Sequence, residues 1–423
     1  MAEEIAQNSS LSFFLVARNT AWYFFALTAQ KALSFFYFSY LARRIGVSDT
    51  GVYALVLSYT AFFGVLVDLG VSQVIIRELS QNFERIKKWG SSLLLFRFLS
   101  GILIGGAGYF LAPLFGLGDY KSLILLGIII MFFDSLSLFF YSILRASQNL
   151  KYESFGVIAF QIILVSVGLT FLIRGEAKLE YLISAIIVAS VFGFLYSFLT
   201  VLKKTNLRFI FAFDQLHASE IKRMLKSALF FFATGLMIKL YNVQDLLIIN
   251  KFTDANVLGL YALPAKVMFT WPFLAMAFSG SMYPALSHYF SHDKLRFKKL
   301  FLRYSGLMLL ISVLLSAVLY FKAEFLLGRI WPEYMESLRV WKYLALGLPL
   351  LFIEFPLGAV LNASHHEKWN SFNRMIHVVL AVVLNLALIP VYGLNGALIS
   401  FFAANSVLVG LGLYKSIKIV TGK

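Results

Sequence analysis

Long apolar runs separated by short charged ones recur from residue 15 to residue 417. A hydrocarbon layer of about 30 Å needs about 20 helical residues to cross it. About twelve runs meet that length: 15–41, 52–76, 89–115, 123–144, 155–173, 182–202, 227–249, 257–286, 300–320, 338–361, 372–389 and 396–417. The two-residue alternation of barrel strands is absent from them. Backbone polar groups in lipid must be satisfied within their own segment, so the runs are predicted to be helices.

The pattern also repeats. Gly51-Val52-Tyr53-Ala54-Leu55 returns as Gly259-Leu260-Tyr261-Ala262-Leu263, an offset of 208 residues in a chain of 423. An offset near half the length predicts a duplicated unit. The expected organisation is an N-terminal six-helix bundle over 1–202, a cytoplasmic amphipathic linker over 203–226 carrying Phe209, Phe211 and Phe213 between charges, and a C-terminal six-helix bundle over 227–423. Two similar halves suit a site placed between bundles that rock against each other.

Composition strengthens the membrane reading. The chain is 60% hydrophobic and 14% charged, with a mean hydropathy of +0.80, more apolar surface than a soluble core of this length hides. With both termini cytoplasmic, about 22 of its Lys and Arg residues fall in inner loops and about 10 in outer ones, the bias of an inner-membrane protein. The net charge of +16 is therefore assigned to juxtamembrane loops facing anionic lipid, and nucleic acid is not an expected partner. No cysteine is present, and the six histidines lie mostly at helix ends or in charged loops, so neither a metal nor a cofactor is expected. Residues 1–10 are acidic and polar, which argues against a removable signal peptide. No phosphate-binding G-x-x-x-x-G-K-[ST] loop occurs, and the outer segments around Asp119, Glu176 and Glu333 are too short for a membrane enzyme's acid/base site.

Charge inside the apolar runs is costly, and so marks candidate function. Lys31, Arg97, Lys239 and Lys266 lie well inside their runs, with Asp68, Asp134, Asp245 and Glu354 as acidic counterparts. Polar residues accompany them at helical spacing: Thr28, Lys31 and Ser34; Gly64, Asp68 and Ser72; Asp134, Ser137 and Tyr141; Lys239, Asn242 and Asp245. Such stripes predict faces lining a polar cavity. The competing reading is buried Lys–Asp pairs that lock helices together. Cavity cations point to an anionic cargo, with phosphate or pyrophosphate the natural candidate. The acids are candidates for ion coupling or for balancing charge. Tyr23, Tyr37, Tyr241 and Tyr261 are candidate platforms for sugar rings. Pro264, Pro272 and Pro284 in the eighth run, and Pro349 and Pro356 in the tenth, mark candidate bends.

Several motifs resemble a known family. Leu41-Ala42-Arg43-Arg44-Ile45-Gly46 followed by Gly51-Val52-Tyr53, then Asp68-Leu69-Gly70 and Arg77-Glu78-Leu79, is similar to the opening of the polysaccharide transporter (Wzx-type flippase) branch of the multidrug/oligosaccharidyl-lipid/polysaccharide exporter superfamily. Tyr241-Asn242 through Asp245 with Gly259-Leu260-Tyr261-Ala262, and Asn385 to Pro390 with Tyr392-Gly393-Leu394-Asn395-Gly396-Ala397, resemble its later helices. The resemblance implies an all-α integral membrane protein with two pseudo-symmetric six-helix bundles around a central cavity. It implies no enzyme, but a flippase that carries a polyprenyl-pyrophosphate-linked oligosaccharide from inner to outer leaflet by alternating access. The implied partners are that lipid-linked cargo, membrane lipid and glycan-assembly proteins, with the chain working as a monomer. Drug-exporting relatives share the bundles, so an ion-coupled antiporter is the alternative, ahead of an enzyme of glycan assembly.

Overall fold

The computed structural model describes the backbone of residues 2–148, 150–205 and 218–421; the described side chains are those of Trp22, 24–86, 89–148, 150–204 and 221–421. The middle of the expected linker, with its three phenylalanines, lies outside the described residues, as do the side chains of 2–10 and Tyr23. Every described element is helical. In chain order these are α1 Ala2–Asp68, α2 Val71–Gln81, α3 Ile86–Leu111, α4 Lys121–Ala146, α5 Leu150–Ile173, α6 Leu179–Thr205, α7 Ala218–Phe252, α8 Ala255–Met268, α9 Pro272–His292, α10 Lys294–Phe321, α11 Ala323–Ile330, α12 Leu338–Leu346, α13 Leu348–Ala363, α14 Glu367–Tyr392 and α15 Leu394–Thr421. Short 3-10 turns link several of them.

Among the described residues, eleven stretches are long and apolar enough to cross a membrane. The first, Phe24–Asp68, has 45 residues. At 1.5 Å per residue it reaches about 68 Å, roughly twice the hydrocarbon thickness. It is also broken in the middle, because Gly46 has φ 80° and ψ 179°, a conformation that only glycine adopts without strain. That stretch therefore supplies two crossings, which makes twelve.

Three expected runs differ in detail. The run 52–76 stops at Asp68, where Leu69 (φ 48°) and Gly70 (φ 75°) turn the backbone into the left-handed region. Beyond the turn α2 is a separate amphipathic helix, burying Val71, Val74, Ile75 and Leu79 while Gln73, Arg77 and Ser80 are exposed. The run 257–286 is divided into α8 and α9, with Pro272 as the first residue of α9, where its missing N–H leaves no helix bond unmade. The run 338–361 is divided at Gly347 into α12 and α13, with Pro349 in the first turn of α13. Pro264, Pro284 and Pro356 stay inside helices.

The chain forms two compact units, one of Met1–Arg44 with Val56–Lys239, the other of Ile45–Leu55 with Leu240–Lys423. In the first, α4 packs against α2, α3 and α6, and α5 against α6. Its core gathers Val71, Val74, Ile75, Trp89, Phe139, Phe140, Val201 and Met224. In the second, α13 is the central element, packed against α9, α10 and α15, while α14 lies along α15. Large apolar side chains are also widely exposed, among them Phe110, Ile173, Phe321 and Val391. In water these would cost free energy; against lipid they do not.

The repeated motif has a structural reason inside the second unit. A Cβ on Gly51 would lie 2.6 Å from both the Ala255 carbonyl oxygen and the Gly259 nitrogen, and one on Gly259 would lie 1.9 Å from the Val47 carbonyl oxygen. The two copies of the motif thus meet backbone to backbone. Beside them the Tyr334 hydroxyl reaches the Gly46 carbonyl oxygen at 3.0 Å and Thr50 Oγ1 at 2.7 Å.

Candidate functional site

In the first unit, α1 carries Thr28, Lys31 and Ser34. The Lys31 ammonium is exposed, Ser34 is half-buried, and Thr28 Oγ1 donates to the Phe24 carbonyl at 2.9 Å, which satisfies its hydroxyl within the helix. On α4, Asp134 is exposed, whereas Ser137 is buried and donates to the Phe133 carbonyl at 2.9 Å. Lys239 of α7 is half-buried and is the last residue of this unit.

Arg97 differs from the reading made of it. Its side chain is 1% exposed, and Nη2 reaches Asp68 Oδ1 at 2.5 Å and Ser72 Oγ at 2.8 Å. Asp68 is not one position on a continuous polar stripe either. It ends α1, and its carboxylate accepts from the Gly70 N–H at 3.1 Å, the Ser72 N–H at 3.3 Å and the Ser72 hydroxyl. Four donors, one of them a guanidinium, thus converge on one carboxylate that holds α1, α2 and α3 together across the Leu69–Gly70 turn. With almost no accessible surface left, Arg97 is a structural clamp and is set aside as a ligand for cargo. Asp68 and Ser72 leave the cavity set with it.

In the second unit, Asn242 is exposed at the start of its part of α7, and Lys266 is exposed on an otherwise buried stretch of α8. Asp245 accepts from the Tyr261 hydroxyl at 2.7 Å and from the Leu246 N–H at 2.9 Å. The Tyr241 ring tilts over His377 with centroids 4.4 Å apart, and its hydroxyl donates to Asn405 Oδ1 at 3.3 Å. These bonds link α7 to α8, α14 and α15. Tyr261 is buried, as is Tyr37, whose hydroxyl packs where a Cβ on Gly168 would sit, so neither is a platform for sugar in this structure. Glu354 of α13 stands 3.8 Å from Arg374 of α14. Arg374 is not among the charges singled out by depth; its signal in the sequence is the match of Asn370 and Arg374 with Glu354, Gly358 and Asn362, each four apart. No group of three or more His, Asp or Glu side chains placed to hold a metal occurs among the described residues.

The fold has solved counterparts. The chain is similar to the lipid II flippase MurJ in an inward closed conformation, with TM-score 0.76 and 16% identity over 94% of this chain and 89% of that one. An inward-facing multidrug resistance MATE family transporter of the MOP superfamily gives 0.72 and 12% over 93% and 95%. The MATE transporter VcmN of Vibrio cholerae in its bent form gives 0.57 and 16% over 98% of both chains. At such identities the likeness is one of fold. No curated protein sequence matches the chain. The model of the polysaccharide biosynthesis protein family matches residues 16–290, nearly two thirds of the sequence, and this multi-pass membrane chain belongs to that family.

Proposed function

We propose that the protein is a flippase that moves a polyprenyl-pyrophosphate-linked oligosaccharide from the inner to the outer leaflet by alternating access. The observation that carries this reading is the presence of Lys31, Lys239 and Lys266 within membrane-crossing stretches of a polysaccharide biosynthesis family member, two of them exposed and one half-buried. An ammonium in a crossing segment needs an anion or water beside it. A pyrophosphate supplies such an anion for Lys31 and Lys239, which share one unit. Thr28, Ser34 and Asn242 are assigned to the sugars' path, and Asp134, Asp245 and Glu354 to balancing the lysines or coupling an ion; Ser137, buried with its hydroxyl bonded to the Phe133 carbonyl, is left out of that path. An export assay with and without an imposed proton or sodium gradient separates those two roles. No bond of the cargo is broken. The setting is the cell's inner membrane with both termini cytoplasmic, and the working unit a monomer.

Neutralising the lysines tests the reading. Lys31→Gln and Lys239→Gln should each lower surface-glycan export about tenfold or more in a strain that depends on this chain, with thermal stability in detergent unchanged; together they should abolish it. Undiminished export in both single variants at normal expression would refute the role of these cations. The similarity in fold to multidrug transporters favours one second reading, an ion-coupled antiporter of small molecules. Under it, deletion would sensitise cells to toxic compounds and leave surface glycan intact.

A further inference from the structure

The α13–α14 pair carries an accessible cation apart from the three lysines. These helices run antiparallel through the turn at His365 (φ 62°), and one edge of the pair is polar. On α13, Glu354, Gly358 and Asn362 are four apart; on α14, Asn370 and Arg374 are four apart. They meet rung by rung. Asn370 Nδ2 donates to Asn362 Oδ1 at 3.0 Å, a Cβ on Gly358 would stand 3.6 Å from Asn370 and 3.8 Å from Arg374, and Arg374 faces Glu354 at 3.8 Å. The seam from residue 354 to 362 is about 12 Å long.

Arg374 sits seven residues inside α14, about 10 Å from its start. Its side chain is 42% exposed, whereas Glu354 is 18% exposed. A separation of 3.8 Å is an ion pair but too long for a hydrogen bond. Among the described residues the guanidinium makes no hydrogen bond, so its five N–H donors are unspent. Arg97 shows the contrast, being buried and bonded at 2.5 and 2.8 Å. Glu354 holds Arg374 in place without saturating it. An accessible planar fork of donors matches a phosphate. One rung along, the Asn362 amide nitrogen and the Asn370 carbonyl oxygen have no further partner among the described residues, and a donor beside an acceptor matches a sugar hydroxyl.

We propose that Arg374, tethered by Glu354 and flanked by Asn362 and Asn370, is a docking position for the phosphate of the glycosylated lipid cargo. This rests on the flippase reading and adds a position on α14 to the three lysines. A phosphate in the bilayer comes from two sources, the lipid-linked cargo or bulk anionic phospholipid. The amide rung favours the cargo.

The test uses the purified full chain in nonionic detergent, titrated separately with polyprenyl pyrophosphate and with phosphatidylglycerol. Arg374→Ala should weaken polyprenyl pyrophosphate binding about tenfold to a hundredfold, and Arg374→Lys should recover only part of it. Glu354→Gln should strengthen binding a few-fold, because it releases the guanidinium from its competitor. A purely structural ion pair would not yield opposite signs. Since Arg374→Ala leaves a half-buried carboxylate alone, the Arg374→Ala/Glu354→Gln pair serves as a neutral control and should bind as weakly as Arg374→Ala. Wild-type affinity in Arg374→Ala, or a loss confined to phosphatidylglycerol, would overturn the docking position and leave the flippase reading standing. Failure of the wild-type chain to bind polyprenyl pyrophosphate would overturn both.

Discussion

Gly259→Ala should leave little folded protein in the membrane. The added methyl carbon would stand 1.9 Å from the Val47 carbonyl oxygen and 2.6 Å from the Val47 carbonyl carbon, both backbone atoms. A flexible side chain swings out of such an overlap, but a main chain already turned by Gly46 does not. Overpacking against a fixed wall costs about 3 kcal/mol or more, enough to remove much of a typical stability margin. Gly51→Ala meets Ala255 and Gly259 at 2.6 Å and should behave similarly. Because both substitutions open the same contact, the double variant should fall short of the sum of the two. Gly410→Ala is the control, since nothing lies within 4 Å of its Cβ position, and it should be neutral or gain up to about 1 kcal/mol. Thermal unfolding of the detergent-solubilised protein, followed by size-exclusion chromatography, checks all four. Wild-type behaviour of Gly259→Ala would mean that the two motif copies are not in contact.

Arg97→Ala should cost about 3–5 kcal/mol, because it leaves the Asp68 carboxylate beside the α1–α2 turn without its cation. The effect should be on stability, with export per folded molecule retained. Arg97→Met combined with Asp68→Asn should recover much of the loss, since an amide oxygen still accepts from the Ser72 N–H while no charge remains buried; the Gly70 N–H, which bonded the other carboxylate oxygen, loses its acceptor. If Arg97→Ala instead folds at wild-type temperature and loses export, the clamp assignment fails and Arg97 returns to the set of cargo ligands. Unfolding temperature and export, measured on the same preparations, separate the two cases.

Hydropathy alone located the crossing stretches, since about 20 apolar residues in a row have few other uses, and the recurrence of the Gly-x-Tyr-Ala-Leu motif pointed to a duplicated unit. What hydropathy does not carry is backbone direction. Leu69-Gly70 sits in apolar surroundings where glycine also occurs in unbroken helices, and only the dihedral angles show that a helix ends there. That single turn changes the meaning of Asp68, which counts as a stripe residue if the helix runs on and as a clamp once it stops. Depth was misleading for Arg97 for a related reason. A residue eight positions inside a run is equally well placed to face cargo or a neighbouring carboxylate, and its partner is 29 residues away in sequence. Arg374 shows the reverse case, for it lies near the start of its apolar run, where depth does not mark it, whereas its neighbours on α13 give it a specific surrounding.

The strap Ile45–Leu55 belongs by contact to the unit otherwise made of Leu240–Lys423. Severing the gene within codons 203–226 would therefore leave the second unit split between two fragments of similar length. The carboxyl-terminal fragment would lack the eleven residues that cover Gly259 and accept the Tyr334 hydroxyl, and should be degraded when made alone. Co-expression with its amino-terminal counterpart should rescue it, and immunoblots of each fragment, separately and together, would register the difference.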